Sequence, residues 1–255
     1  DTIHVMKKVD TEKALSRVKG RITGRKKTMW WEWAQRAAAV LFIPLLVVQL
    51  VHYWGGDEQE LAQMLEVKTN PGMTTSLTLS DGTVVFLNSE SRLTYPSHFN
   101  GDTRNVTLQG EAYFEVSKDS KHPFIVQTET IDVQVLGTHF NVDAYPDNPD
   151  VKTTLLTGSV AVSNKNNSVR MVLKPNEVAI YNKVEQKLTR KVLENAGDEI
   201  SWRHGEFIFD DLPLQEIARE LSNSFGATIH IADTALQNYR ITARFRNGED
   251  LTTIL

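Results

Sequence analysis

Seven histidines, at positions 4, 52, 98, 122, 139, 204 and 230, are the first residues to test for metal chemistry. None falls at a ligand spacing such as HxH or HExxH, so their pattern does not predict a metal site. The chain has no cysteine, which excludes thiolate ligands, a cysteine nucleophile and disulfides within it. There is no GxSxG, GxxxxGK[ST] or GxGxxG, so nucleophile-elbow, P-loop and dinucleotide-binding readings have no support. The most tempting acid pair is Glu111 with Glu115 in GEAYFEV, which suggests glycoside hydrolysis. On one strand those carboxylates lie about 13 Å apart at roughly 3.4 Å per residue, beyond the window of roughly 5 to 9.5 Å that paired catalytic carboxylates need. The pair reads better as a solvated strand face. Tyr113, Tyr95 and Phe99 could form a sugar platform, but aromatic residues in β domains belong more often to the core or to cross-strand pairs. These residues therefore give no support for a metal, nucleotide or catalytic site.

The elements around these residues divide the chain sharply. Ala37 to Trp54 (AAAVLFIPLLVVQLVHYW) carries no acidic or basic Asp, Glu, Lys or Arg residue, and between Ala37 and Val51 only Gln49 is polar. At about 1.5 Å per residue this run spans roughly 27 Å, near the hydrocarbon thickness of a bilayer. Trp30, Trp31 and Trp33 precede it and Tyr53 and Trp54 close it, where amphipathic rings favour the headgroup levels. Pro44 is compatible with a membrane helix. A signal peptide fits less well, because a long basic stretch precedes the run and Gly55, Gly56 and Asp57 follow it. Residues 1–36 hold ten Lys or Arg against four acids, net +6; the whole chain is −4, so residues 37–255 carry −10. The positive-inside rule then predicts a cytoplasmic N-terminus and an acidic part outside.

Residues 1–28 hold one helix signal, with Asp10 or Thr11 as cap and Ala14, Leu15, Val18 and Ile22 at helical spacing. The stripe is thin, so this helix is expected to dock on a partner or to belong to a larger helical region. Arg25, Lys26 and Lys27 fit attraction to an anionic leaflet better than nucleic-acid binding. Residues 55–66 read as a polar linker with a short amphipathic hint at Leu61, Met64 and Leu65.

From about residue 67 to 195 the apolar period is two, and short strands separated by turn residues predict an all-β sandwich, barrel or stacked solenoid. Asp81-Gly82 predicts a two-residue hairpin turn, pairing Leu79 with Val84 and Leu77 with Phe86 on one side. Gly110 suggests a bulge within the strand Val106 to Val116. Residues 201–255 predict a β-α-β-β-α module: strand Glu206 to Phe209, a helix capped by Asp210 or Asp211 whose face is Leu214, Ile217, Ala218, Leu221 and Phe225, strands Thr228 to Ala232 and Tyr239 to Phe245, and a helix starting near Leu251. The absent initiator Met and the abrupt last helix suggest a chain cut at both ends.

Several stretches together carry a resemblance: LSDGTVVFLNSESRLTYP (Leu79 to Pro96), GEAYFEV (Gly110 to Val116), PFIV (Pro123 to Val126) and VLGTHFNV (Val135 to Val142) resemble the periplasmic domain of FecR-type transmembrane anti-sigma factors. FDDLPLQEIARELSNSFG (Phe209 to Gly226) is similar to the C-terminal module of the same proteins. The resemblance implies a single-pass protein of the bacterial inner membrane. Its cytoplasmic segment would restrain an extracytoplasmic-function sigma factor, here through Ala14, Leu15 and Val18. Its C-terminal module would contact the N-terminal signalling domain of a TonB-dependent outer-membrane transporter serving iron or glycan uptake, and release would involve regulated proteolysis. The exposed strand with Tyr239, Arg240, Arg244 and Arg246 is the candidate docking face for that domain. The competing class is a membrane-anchored periplasmic adhesin or carbohydrate-binding protein.

Overall fold

The computed structural model describes Glu12, Ser16 and residues 26–55, 62–246 and 251–254. The chain divides into two units, Asp1–Glu60 and Leu61–Leu255. In the first, helix α1 runs Lys26–Gly55 and carries Pro44 inside it. Its segment Trp33–Val51 is long and apolar enough to cross a membrane, and its described side chains are exposed. The rings of Trp30, Trp31, Trp33 and Tyr53 are all exposed, as a lipid-facing helix with interfacial aromatics requires. Ala14, Leu15 and Val18 lie outside the described residues.

The second unit begins with strands where the polar linker was expected to end. Met64–Lys68 (β1) pairs with Arg92–Pro96 (β4), because Leu65 and Val67 find partners in Tyr95 and Leu93. Thirteen strands follow the period-two pattern: Thr75–Thr78 (β2), Val84–Leu87 (β3), Arg104–Glu115 (β5), Phe124–Gln127 (β6), Ile131–Val135 (β7), His139–Ala144 (β8), Asp150–Thr157 (β9), Val160–Asn164 (β10), Arg170–Leu173 (β11), Glu177–Asn182 (β12) and Lys187–Val192 (β13), with β1 and β4. They make two sheets that share β5. One runs β1-β4-β5-β6-β7-β10-β11 and the other β2-β3-β5-β8-β9-β12-β13. Their inner faces enclose a single apolar core that includes Phe114, Phe124, Phe140, Leu108 and Leu155.

The changeover in β5 happens at Gly110. Residues 104–109 pair with β4 and β6, while residues 110–115 pair with β3 and β8. Gly110 has φ +93°, and a Cβ there would lie 2.7 Å from the Ser91 Cα, so the corner needs both the left-handed backbone and the missing side chain. Past the corner Ala112, Tyr113 and Phe114 are all buried, since both faces of β5 are now covered.

The hairpin departs from its expected register by one residue. Leu77 lies opposite Val85 and Thr78 opposite Val84, so the inward residues of β3 are Val85 and Leu87, and Phe86 points to the other face. The cause is Asp81: its carboxylate accepts bonds from the Thr83 N–H and hydroxyl and pairs with Arg104. That turns Asp81-Gly82 into part of a three-residue loop closed by Leu79 N–H to Thr83 O, with Gly82 at the left-handed bulge position.

The C-terminal module holds Phe207–Pro213 (β14), Leu214–Phe225 (α2), Arg240–Phe245 (β15) and Leu251–Ile254 (α3). The predicted face of α2 is the inward one, with Ile217, Ala218 and Leu221 buried, and Gly226 ends the helix. Two expectations fail. Asp210 and Asp211 do not cap α2; both belong to β14, which continues to Pro213 through an irregularity, and the Asp211 carboxylate is taken by Arg240. Thr228 to Ala232 is no strand either. Its alternating exposure fits one, but among the described residues the module's sheet holds β14 and β15 alone, and that segment pairs with neither. The observed order is therefore β-α-β-α, with a short 3-10 turn at Thr234–Leu236.

Candidate functional site

Two places on the second unit concentrate charge. The first is the outward face of β15. Arg240, Thr242, Arg244 and Arg246 alternate along the strand and are exposed, while Ile241, Ala243 and Phe245 turn toward the module core of Phe209, Ile217 and Leu221. The strand and the residue after it thus gather three guanidinium groups on one face of a sheet in which, among the described residues, β15 pairs only with β14. Arg240 Nε contacts Asp211 Oδ1 at 2.8 Å, and that hydrogen bond holds the Asp211 carboxyl below its ordinary range. Arg244 lies 3.4 Å from Glu206. Tyr239 sits just before the strand at the opposite parity; its ring is 64% exposed and its carbonyl accepts from the Leu214 N–H, tying β15 to the start of α2.

The second place lies where the module meets the β domain. Glu111, expected on a solvated strand face, is enclosed: its two carboxylate oxygens accept from Asn88 Nδ2 at 2.7 Å and Asn141 Nδ2 at 2.8 Å. The correction follows from chain packing, because the segment after β13 folds back over that face of β5 and β8. Burial raises the Glu111 carboxyl well above its usual range, and the neighbouring Asp143 adds to this. Asp143 is raised by burial too, with Lys152 opposing. Lys152, on β9, reaches 3.6 Å from Glu216 and 3.8 Å from Glu220 of α2. Burial works against its charge, but Glu220, Glu199, Asp143 and Glu216 outweigh it and raise the ammonium's pKa. Desolvation pushes Glu220 up to about 7, with Lys152 opposing and Glu199, Asp143 and Glu216 adding to the rise. A polar cavity of about 60 Å³ lies among Glu111, Asp143, Lys152, Glu199, Trp202 and Glu220, enough for a few water molecules.

Glu115 does not share this cavity. It faces Arg203, whose guanidinium stacks 4.1 Å over Tyr113 and 5.0 Å over Phe86. Glu111 and Glu115 therefore serve separate contacts. Tyr95 and Phe99 pack on the main core and Tyr113 on Ile200 and Trp202, so the three aromatics form no platform. Among the described residues no three His, Asp or Glu side chains converge to hold a metal ion. Nothing in the sequence pattern pointed to the cluster around Lys152: Glu111, Asp143 and Lys152 occupy positions that read as outward-facing in alternating strands.

The chain thus carries, in sequence order, a helix of membrane length, a two-sheet β domain and a small module with an exposed charged strand. The family model described as FecR protein matches residues 66–161, and that described as FecR, C-terminal, matches residues 206–255. Two crystal structures of a candidate anti-sigma factor from Parabacteroides distasonis ATCC 8503, at 1.65 Å and 2.50 Å resolution, are similar to the chain. The first has a TM-score of 0.70 at 32% identity and covers 75% of this chain and 88% of that one. The second has 0.66 at 31%, covering 76% and 89%. No curated protein matches significantly. The chain belongs to the FecR family, and both of these similar solved structures are described as anti-sigma factors.

Proposed function

We propose that this anti-sigma factor relays a signal across the bacterial inner membrane, from the N-terminal signalling domain of a TonB-dependent outer-membrane transporter to an extracytoplasmic-function sigma factor. The supporting observation is the order of parts: a basic segment, a helix able to cross a membrane, a FecR domain and a module that presents an arginine-bearing edge strand. The net +6 of residues 1–36 favours a cytoplasmic N-terminus, with the acidic remainder in the periplasm. The sigma factor would be held through Ala14, Leu15 and Val18. The transporter domain would meet Tyr239, Arg240, Arg244 and Arg246, its backbone extending the sheet at β15 and its acidic groups answering the arginines. Inducing solutes of either the iron or the glycan class fit this scheme.

The test is co-purification of the full-length tagged protein from detergent-solubilised membranes, with retained partners identified by mass spectrometry. A sigma factor that disappears when residues 1–28 are deleted supports the relay. Its absence under inducing and non-inducing conditions alike overturns it. Charge reversal at Arg244 and Arg246 is expected to abolish transporter-dependent signalling while sigma binding persists; intact signalling in that variant removes the β15 docking face.

A further inference from the structure

The apolar cores of the second unit are distributed unevenly. The main core belongs to the two sheets, and a small second cluster joins Ile200 and Trp202, in the 3-10 turn Asp198–His204, to Tyr113, Phe86 and Leu156 of the β domain. Arg203 adds its stacking on Phe86 and Tyr113 and its contact with Glu115. The connector is therefore fastened to the β domain through His204. The module's own core is built wholly from residues between Phe207 and Leu251 and shares no apolar side chain with the other two. Between the two lies Gly205, with φ +70°, a backbone state that glycine adopts at no steric cost.

What holds the module against the β domain and its connector is mostly polar, beginning with the Ser201 hydroxyl donating to the Glu206 carbonyl and the Glu206 N–H to the Ser201 carbonyl across Gly205. Lys152 contacts Glu216 and Glu220, Asn223 Nδ2 donates to Asn148 Oδ1 at 3.4 Å, and Gly226 abuts Pro71. Within this contact Lys152 faces Glu111, Asp143, Glu199, Glu216 and Glu220, while Lys183 acts on Asp143, Lys191 on Glu199, and Arg219 lines the crevice beside Glu216. Among the described residues few positive charges thus offset a surplus of carboxylates across a cavity open to a few waters. A joint with a separate apolar core on each side, a left-handed glycine between them and a mostly polar contact centred on Lys152 opens at lower cost than either core.

We propose that the C-terminal module is a hinged flap, pivoting at Gly205 and clamped onto the β domain by Lys152. Closing it covers Glu111 and Asp143; opening it exposes them and frees the flank of α2 that carries Glu216 and Glu220. The device stands on this geometry alone and holds whether or not the module's partner is a transporter domain.

The test uses the full chain in lipid nanodiscs, and the absence of native cysteine allows clean spin labelling in pairs. Cysteines replacing exposed Val184 and Asn238 report the distance from the β domain to the module, and Val184 with His204 report the distance to the connector. Lys152→Met is expected to shift the closed-to-open ratio of the first pair by about tenfold, because it strands the Glu216 and Glu220 carboxylates without the cation they contact. The second pair is expected to stay fixed. Lys152→Arg, and Lys152→Met combined with Glu216→Gln and Glu220→Gln, are expected to restore closure. An unchanged first distance in Lys152→Met overturns the clamp, as does opening that neither rescue reverses. Movement of the Val184–His204 pair overturns the hinge at Gly205. Loss of sigma-factor binding in the co-purification experiment bears on the relay and leaves these distances unaffected.

Discussion

Replacing Gly110 by alanine attacks the corner on which both sheets depend. At φ +93° an L-residue is strained by about 1–2 kcal/mol. The new methyl would also lie 2.3 Å from the Ser91 hydroxyl oxygen and 2.7 Å from both Cα and Cβ of Ser91, so the neighbouring backbone and not merely a side-chain tip must give way. Overpacking of this kind costs about 1–3 kcal/mol. Ser91 cannot shift freely, because its hydroxyl accepts from the Glu111 N–H at 2.8 Å and its own N–H donates to Thr69 Oγ1. The sum is about 2–5 kcal/mol, a large part of the about 5–15 kcal/mol that stabilises a typical domain. For a unit of this size it corresponds to a fall in Tm of about 2–4 °C for each kcal/mol. The assay is thermal and urea unfolding of the full chain followed by the β-sheet circular dichroism signal, with Gly101→Ala as control, since a Cβ there meets nothing nearer than 3.8 Å. If Gly110→Ala unfolds within about 0.5 kcal/mol of Gly101→Ala, the sheet-switching role of this glycine is wrong.

Three further outcomes follow from the packing and the charges. Asp81→Ala leaves the Arg104 guanidinium, whose side chain is 4% exposed, without its 2.6 Å partner; denaturant unfolding is expected to show a loss of about 3–5 kcal/mol. Phe114→Ala removes the ring stacked 5.1 Å from Phe140 at the centre of the core, and a loss of about 3–5 kcal/mol in the same assay is expected. Glu220 titrates at about 7 in the folded protein against an ordinary 4.5, so folding takes up a proton and the associated stability, complete below the ordinary value, is lost as pH rises to about 7. Glu111, Asp143 and Glu199 are raised in the same direction, so urea midpoints are expected to be higher at pH 5 than at pH 7.5, and Glu220→Gln is expected to narrow that difference; a midpoint that climbs over this interval contradicts the assignment.

The strands were legible because each alternates apolar and polar residues, and alternation is a local property. The membrane-length helix and the inward face of α2 were legible for the same reason, each being a periodic pattern within one element. Register was not, since Asp81-Gly82 carries the signature of a two-residue turn and only Arg104, 23 residues away, shows why the Asp81 carboxylate draws the loop to three. The cluster around Lys152 was illegible on stronger grounds. Glu111, Asp143 and Lys152 stand on three different strands at outward positions, and what encloses them is the connector and α2, whose return over that face no local pattern encodes. Of the docking face, the alternating arginines of β15 were visible in sequence, whereas the pairing of Arg240 with Asp211 and of Arg244 with Glu206 was not.

The sharing of β5 also bears on how the domain withstands load. A strand of 12 residues reaches roughly 40 Å, and here its first half is stitched into one sheet and its second half into the other. Tension applied to either sheet is carried along this beam into the opposite one, and the two cannot be peeled apart in sequence because the same backbone closes both. The edge strands β1 and β13 can peel one ladder at a time, but a disturbance that reaches β5 opens both sheets together, so the two sheets share one mechanical fate at their common strand.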